Sequence, residues 1–162
     1  MPELTASELL DAPGTTLSPD DEMHSAMDNL LKKRLSGAAV VDDENRLVGI
    51  LSEKDCLKVV ATAAFERMPE GKVRDYMTTD VATLTPRSTI YEIVDRFLGC
   101  SYRRLPVVDS ENAFLGVVSR ASVVKVVAEM GEDPSLFHTP DAEPLAEEGA
   151  GVDSAMRRAR GL

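Results

Sequence analysis

A shift of 67 residues lays the chain on itself without a gap, and this repeat restricts the fold more than any other feature of the sequence. Val40-Val41-Asp42 falls on Val107-Val108-Asp109, Glu44-Asn45 on Glu111-Asn112, Gly49 on Gly116 and Ser52 on Ser119. Lys58-Val59-Val60-Ala61 falls on Lys125-Val126-Val127-Ala128, while Thr16-Leu17, Pro19 and Asp28 meet Thr83-Leu84, Pro86 and Asp95. The chain is two copies of one unit. At roughly 60 residues each, neither copy buries enough surface to be comfortably stable alone, so both should share a core with approximate twofold symmetry.

Each copy carries the same local signals. Ser18-Pro19 and Thr85-Pro86 predict a helix start, a hydroxyl cap before a proline at the first helical position. Met23, Ala26, Met27, Leu30 and Leu31, and in the second copy Ile90, Ile93, Val94, Phe97 and Leu98, recur at helical spacing, which predicts one buried face on each helix. Ala38 to Val41 and Leu47 to Leu51 flank a polar turn, as do Leu105 to Val108 and Phe114 to Val118, a strand-turn-strand pattern. Ser52 and Ser119 then stand as caps before a closing helix, and lead-in helices are expected at Ala6 to Leu10 and Val73 to Met77. The expectation is an α/β (α+β) fold with β-α-β-β-α order in each repeat. Repeat 1 is placed at 1–68 and repeat 2 at 69–131, joined by a linker over 62–72, followed at 132–162 by an acidic linker and a short helix.

Composition narrows the function. Of 162 residues, 43% are hydrophobic but only 4% aromatic and none is Trp, so the core is aliphatic and base-stacking platforms are not expected. The formal net charge of −10 argues against broad nucleic-acid binding, which needs cations on phosphates. Apolar runs fall short of a membrane span and the N-terminus lacks a basic region before an apolar stretch, so a cytoplasmic protein is expected. Cys56 and Cys100 are isolated and read as buried thiols, His24 and His138 lie far from any cysteine, and no metal site is expected. Met23, Met27 and Met77 read as core filler. Ser52 has no histidine partner within either repeat, so no nucleophilic catalysis and no enzyme is expected.

The two units, LSPDDEMHSAMDNLLKKRLSGAAVVDDENRLVGILSEKD and LTPRSTIYEIVDRFLGCSYRRLPVVDSENAFLGVVSRAS, resemble tandem cystathionine β-synthase (CBS) domains, the pair known as a Bateman module. The resemblance covers residues 4 to 130. It is carried most sharply by Arg104-Leu105-Pro106-Val107-Val108-Asp109 and Gly116-Val117-Val118-Ser119. It implies a regulatory module that binds an adenosyl ligand (AMP, ADP, ATP or S-adenosylmethionine) in clefts between the repeats, forms a homodimer and signals to a target protein. It also implies that the Gly-apolar-x-Ser/Thr-x-x-Asp stretch binds the ligand, its hydroxyl near phosphate and its Asp on the ribose diol.

The first copy keeps that stretch from Gly49 to Asp55; the second has Ser122 in place of the Asp. The resemblance therefore implies one competent cleft, in which Ser52 and Asp55 face Val81, Thr83, Arg103, Arg104, Leu105 and Pro106. The backbone near Val81 and Leu105 would read adenine, and Arg103 or Arg104 would meet phosphate. A weaker or empty second cleft would hold Thr16, Gly37, Ala38, Ser119, Arg120 and Ser122. Residues 1 to 70 carry 7 basic and 14 acidic side chains and residues 71 to 131 carry 8 and 7, so the arginines sit mainly in the second copy. Asp20, Asp21 and Glu22, at the positions of Arg87, Ser88 and Thr89, should disfavour a di- or triphosphate at the second cleft.

Ser52-x-x-Asp55 is equally a helix-capping pattern, compatible with the ligand role because a helix N-terminus attracts phosphate. Arg103-Arg104 could also be a solvated strand end. Residues 152 to 162 form either a docking helix or a solvated terminus. Two functions remain open from the sequence: an adenosyl-ligand sensor, and a ligand-free pair serving only as a dimerisation surface.

Overall fold

The structure is a computed structural model that describes residues 4–11, 14–63 and 71–131. The described residues up to 129 form one compact unit; the acidic linker and terminal helix expected over 132–162, and most of the expected inter-repeat linker, lie outside the described residues. The elements run α1 (Ala6–Leu9), β1 (Thr16–Leu17), α2 (Met23–Lys32), β2 (Gly37–Val41), β3 (Leu47–Ser52) and α3 (Glu53–Ala63). The second copy follows with α4 (Val73–Tyr76), α5 (Ile90–Leu98), β4 (Arg104–Val108), β5 (Phe114–Ser119) and α6 (Arg120–Met130).

The expected strand-turn-strand units are both present. β2 and β3 pair antiparallel with Gly37 opposite Ser52, and β4 and β5 do so with Arg104 opposite Ser119, each with a register irregularity at the same repeat position. β1 adds in parallel to β2, but its counterpart in the second copy shrinks to a single parallel bridge, Leu84 to Val107. The second sheet thus has two strands.

The prolines do not start helices. Ser18-Pro19-Asp20-Asp21 and Thr85-Pro86-Arg87-Ser88 close turns through Asp21 N–H to Ser18 C=O and Ser88 N–H to Thr85 C=O. Proline's fixed φ suits the second position of such a turn as well as the first turn of a helix. The helices begin later, at Met23 and Ile90, the second capped by the Thr89 hydroxyl, which accepts from Glu92 N–H. Their apolar faces are narrower than the spacing suggests: Met23, Ala26, Leu30, Ile90, Ile93 and Phe97 are buried, whereas Leu31 and Leu98 point to solvent.

Each lead-in helix docks on the opposite repeat. Ala6 and Leu9 of α1 are buried among Leu84, Ile90, Ile93, Phe97, Leu105, Val107, Val118 and Val123 of the second copy. Val73 of α4 is buried among Leu17, Met23, Leu30, Val40, Leu51 and Val59 of the first. Backbone bonds repeat the exchange: Asp11 N–H donates to Val117 C=O and Thr78 N–H to Ile50 C=O, both at 2.9 Å. Asp20 likewise pairs with Arg74 of α4, and Asp21 accepts from Ser18 N–H. These two carboxylates are thereby engaged in structural bonds.

A third cluster, Ala39 and Leu47 with Val108 and Phe114, joins the two sheets, so the shared core is real. At its edge the hairpin turns clasp each other. Asn45 Nδ2 donates to Phe114 C=O at 3.0 Å and Asn112 Nδ2 to Leu47 C=O at 2.8 Å. Both asparagines have positive φ, 61° and 63°, which they tolerate better than most residues. Asn45→Gly should lose only the cross-repeat bond, about 0.5–1.5 kcal/mol. Asn45→Ala adds left-handed backbone strain, about 1–2 kcal/mol more. Urea unfolding of both variants checks this, and equal losses would refute the division.

Candidate functional site

Three adjoining clefts lie where the repeats meet. The first has a volume of about 70 Å³ and is lined by Gly14, Thr15, Ser36, Gly37, Ala38, Ser52, Tyr102, Arg103, Arg104 and Pro106, among others. It brings Ser52 together with Arg103, Arg104 and Pro106 as expected. The adjoining strand and lead-in backbone, however, come from Ser52's own copy, so Gly37 and Ala38 join this cavity and not a separate second cleft. Val81 and Thr83 do not line it: Val81 packs on the third core cluster. Leu105 is fully buried in the core and lines none of the three clefts, and Thr16 is an exposed residue of β1.

The second cleft, about 420 Å³, is lined by Ser52, Asp55, Lys54, Lys58, Thr78, Tyr102 and Arg103 together with Ser36, Glu53 and Ser101. The third, about 640 Å³, is lined by Arg34, Arg103, Arg104 and Arg120 with Ser36, Glu53, Ser119 and Ala121. Four arginines border this third cleft against one glutamate. Both larger clefts fall in the volume range of small-ligand sites, roughly 300–1,000 Å³, and the first cavity does not.

Asp55 is buried with 2% of its surface exposed, and its carboxylate is satisfied by protein. Oδ2 accepts from Ser52 N–H and Ser52 Oγ, both at 2.9 Å, and Oδ1 accepts from Lys58 Nζ at 2.9 Å and Thr78 Oγ1 at 3.2 Å. Asp55 N–H returns a bond to Ser52 Oγ, so the capping geometry read from Ser52-x-x-Asp55 is realised. Burial pushes the carboxyl upward, yet the bonds from Lys58 and from Ser52 outweigh it and hold Asp55 below the usual carboxylate value. The same pair raises Lys58. Burial, followed by the nearby charges of Asp55 and Glu53, pushes the Cys56 thiol up. Cys56 and Cys100 are half-buried and unpaired with each other.

A carboxyl depressed in the folded state stabilises it above the unfolded value of about 3.9 and loses that contribution as pH falls through the lower folded value. The stability difference between wild type and Asp55→Asn should therefore be largest at neutral pH and shrink below about pH 4. Urea midpoints at pH 7 and pH 3 check this, and a difference independent of pH would contradict it.

Ser119 and Arg120 head α6 as Ser52 and Glu53 head α3, and Ser119 Oγ lies 2.7 Å from Ser122 Oγ. Ser122 donates in turn to Asp11 Oδ1 at 2.8 Å. Cleft residues that sequence reasoning did not select include Tyr102, which lines two of the clefts, Gly14, Thr15, Arg34, Ser36 and Thr78, and it also passed over Asp11, the partner of Ser122. Among the described residues, no group of three His, Cys, Asp or Glu is placed to hold a metal ion, and no helix is long and apolar enough to cross a membrane.

The family model described as CBS domain matches residues 6–62 and 73–129. Protein MJ1225 of Methanocaldococcus jannaschii is 29% identical over 132 residues, covering 81% of this chain, which spans 44% of that protein's length. The crystal structure of CBSX2 in complex with AMP superposes with a TM-score of 0.68 at 24% identity, covering 78% of this chain and 98% of that one. The CBS domain pair of protein MJ0100, in complex with 5′-methylthioadenosine and S-adenosyl-L-methionine, gives 0.65 at 20% identity, covering 79% and 98%. These two likenesses show the fold.

Proposed function

The chain belongs to the CBS domain family, and from that premise we propose that it is a cytoplasmic regulatory module that binds an adenosyl ligand between its repeats and passes the bound state to a target protein. The observation that carries this reading is the cleft of about 640 Å³ bordered by Arg34, Arg103, Arg104 and Arg120. Guanidinium forks match phosphate and carboxylate oxygens bidentately, so the anionic end of AMP, ATP or S-adenosylmethionine is held there. Ser119, at the N-terminus of α6, adds a hydroxyl to the same wall. The ligands present on the two solved relatives, AMP and S-adenosylmethionine, support the adenosyl class.

Calorimetric titration with AMP, ATP and S-adenosylmethionine tests the proposal. Wild type should bind at least one of the three, and the Arg103→Ala/Arg104→Ala variant should bind at least tenfold more weakly, since each charge-assisted bond contributes about 1.5–3 kcal/mol. Absence of heat and of thermal shift with all three would move the assignment to a ligand-free dimerisation module.

One observation favours assembly as well. Leu31 and Leu98, at equivalent repeat positions, are 76% and 82% exposed, and Leu57 and Val124, another equivalent pair, are also exposed. Exposed apolar residues repeated by the internal symmetry suit a twofold contact with a second copy. Leu31→Glu/Leu98→Glu should convert a dimer to a monomer by light scattering, and a monomeric wild type would refute the dimer.

A further inference from the structure

Resting on the adenosyl-ligand reading above, we propose that Asp11 supplies the carboxylate for a ribose cis-diol beside the arginine-bordered cleft that Ser119 lines, in place of the acid that the second closing helix lacks. Ser122 occupies the position of Asp55, and on that comparison alone the second copy has lost its acid. The 67-residue shift that aligns Ser122 with Asp55 also aligns Asp11 with Thr78. The structure brings these residues together as two equivalent pairs. In one, the Thr78 hydroxyl donates to Asp55 Oδ1 at 3.2 Å; in the other, the Ser122 hydroxyl donates to Asp11 Oδ1 at 2.8 Å. Hydroxyl and carboxylate have traded places between the lead-in segment and the closing helix, and the charge has stayed.

The backbone holds both pairs alike. Asp11 N–H donates to Val117 C=O and Thr78 N–H to Ile50 C=O, at 2.9 Å each, so the two lead-in segments sit on their sheets in the same register. The glycines at the repeated position receive them: a Cβ on Gly49 would meet Met77 and Thr78, and one on Gly116 would meet Leu10 and Asp11. Asp11 is linked through Ser122 to Ser119, whose hydroxyl lies 2.7 Å from that of Ser122 and which lines the arginine-bordered cleft.

The two carboxylates differ in availability. Asp55 accepts four hydrogen bonds from protein groups and is almost fully buried. Asp11 is half-buried, and among the described residues it accepts the Ser122 bond alone. A vicinal diol needs a carboxylate with open lone pairs to accept from both hydroxyls. Asp11 offers those without breaking a cap, and four arginines stand near Ser119 for the anionic end of the same ligand.

The test is calorimetric titration with AMP and with 2′-deoxy-AMP, repeated with S-adenosylmethionine where AMP gives no heat, on wild type, Asp11→Asn, Asp55→Asn and Asp11→Thr/Ser122→Asp. Asp11→Asn should weaken one site for AMP by about tenfold or more and reduce its preference over 2′-deoxy-AMP, with an unchanged thermal midpoint. The double variant rebuilds the arrangement of the first repeat and should recover the affinity. Wild-type binding that Asp11→Asn leaves untouched while Asp55→Asn abolishes it would overturn the Asp11 assignment and keep the adenosyl reading. Absence of binding by the wild type to every probe would overturn both.

Discussion

Removing residues 1–10 should unfold the second repeat before the first, although those residues belong to the first in the chain. α1 buries Ala6 and Leu9 in the cluster of Ile90, Ile93, Phe97 and Leu105, and Leu4 and Leu10 pack against its rim. The same segment receives Ile90 N–H on Leu4 C=O and gives Ala6 N–H to Ser88 C=O and Ser7 N–H to Pro86 C=O. Burial of Leu9 contributes about 1.5–3 kcal/mol. The backbone bonds contribute about 0.5–1.5 kcal/mol each. A loss of about 3–7.5 kcal/mol is expected, a large share of the roughly 5–15 kcal/mol that typically holds a domain folded. Hydrogen exchange followed by mass spectrometry should show protection falling first in α5, β4 and β5 while β2 and β3 hold. Uniform loss, or loss centred on β2 and β3, would contradict the exchange of lead-in helices.

That exchange marks the boundary of what could be read from the sequence. Ser52 and Ser119 at the head of α3 and α6, and the hairpins around Asn45 and Asn112, follow from local chemistry and stand where expected. Ala6 to Leu9 and Val73 to Tyr76 also read as short helices, but four residues with two apolar positions do not specify which of two near-identical sheets they cover. Their docking is settled by fit to the rest of the core. Pro19 and Pro86 misled for a related reason, because a proline with fixed φ serves a turn and a helix start equally. Leu31 and Leu98 satisfy helical spacing yet face solvent, since spacing defines a stripe and not its width.

The candidate site divides along the same line. Ser52 ends β3, and Arg103, Arg104 and Pro106 lie just before and within β4; the fold brings these stretches together in one cavity. Gly14 and Thr15 stand there in place of Val81 and Thr83, which no motif within either copy encoded. Asp11 was within reach of sequence reasoning. Its signal lies in the reciprocal substitutions Asp11/Thr78 and Ser122/Asp55, which a search for identities passes over.

Symmetric backbones filled by different side chains lead to the second large effect, in the packing of the two clusters. Position 26 holds Ala where position 93 holds Ile, and the lead-in residue sharing each cluster compensates: Val73 accompanies Ala26, and Ala6 accompanies Ile93. All four are at most 2% exposed. A small residue on the long helix thus goes with a larger one on the docked helix, and the reverse. Ile93→Ala should cost about 2–5 kcal/mol by removing buried methyl groups and leaving a cavity. Ala26→Ile should cost about 1–3 kcal/mol by overpacking the space that Val73 occupies. The compensation makes a sharper prediction than either single variant. Ala26→Ile/Val73→Ala should be more stable than Ala26→Ile alone, and Ile93→Ala/Ala6→Val more stable than Ile93→Ala alone, by coupling of about 0.5–3 kcal/mol in double-mutant cycles on urea unfolding. The rescue is specific to partners across repeats, because each lead-in helix belongs in sequence to one copy and in space to the other. Additive losses in both cycles would show that Ala6 and Val73 do not share packing space with Ile93 and Ala26.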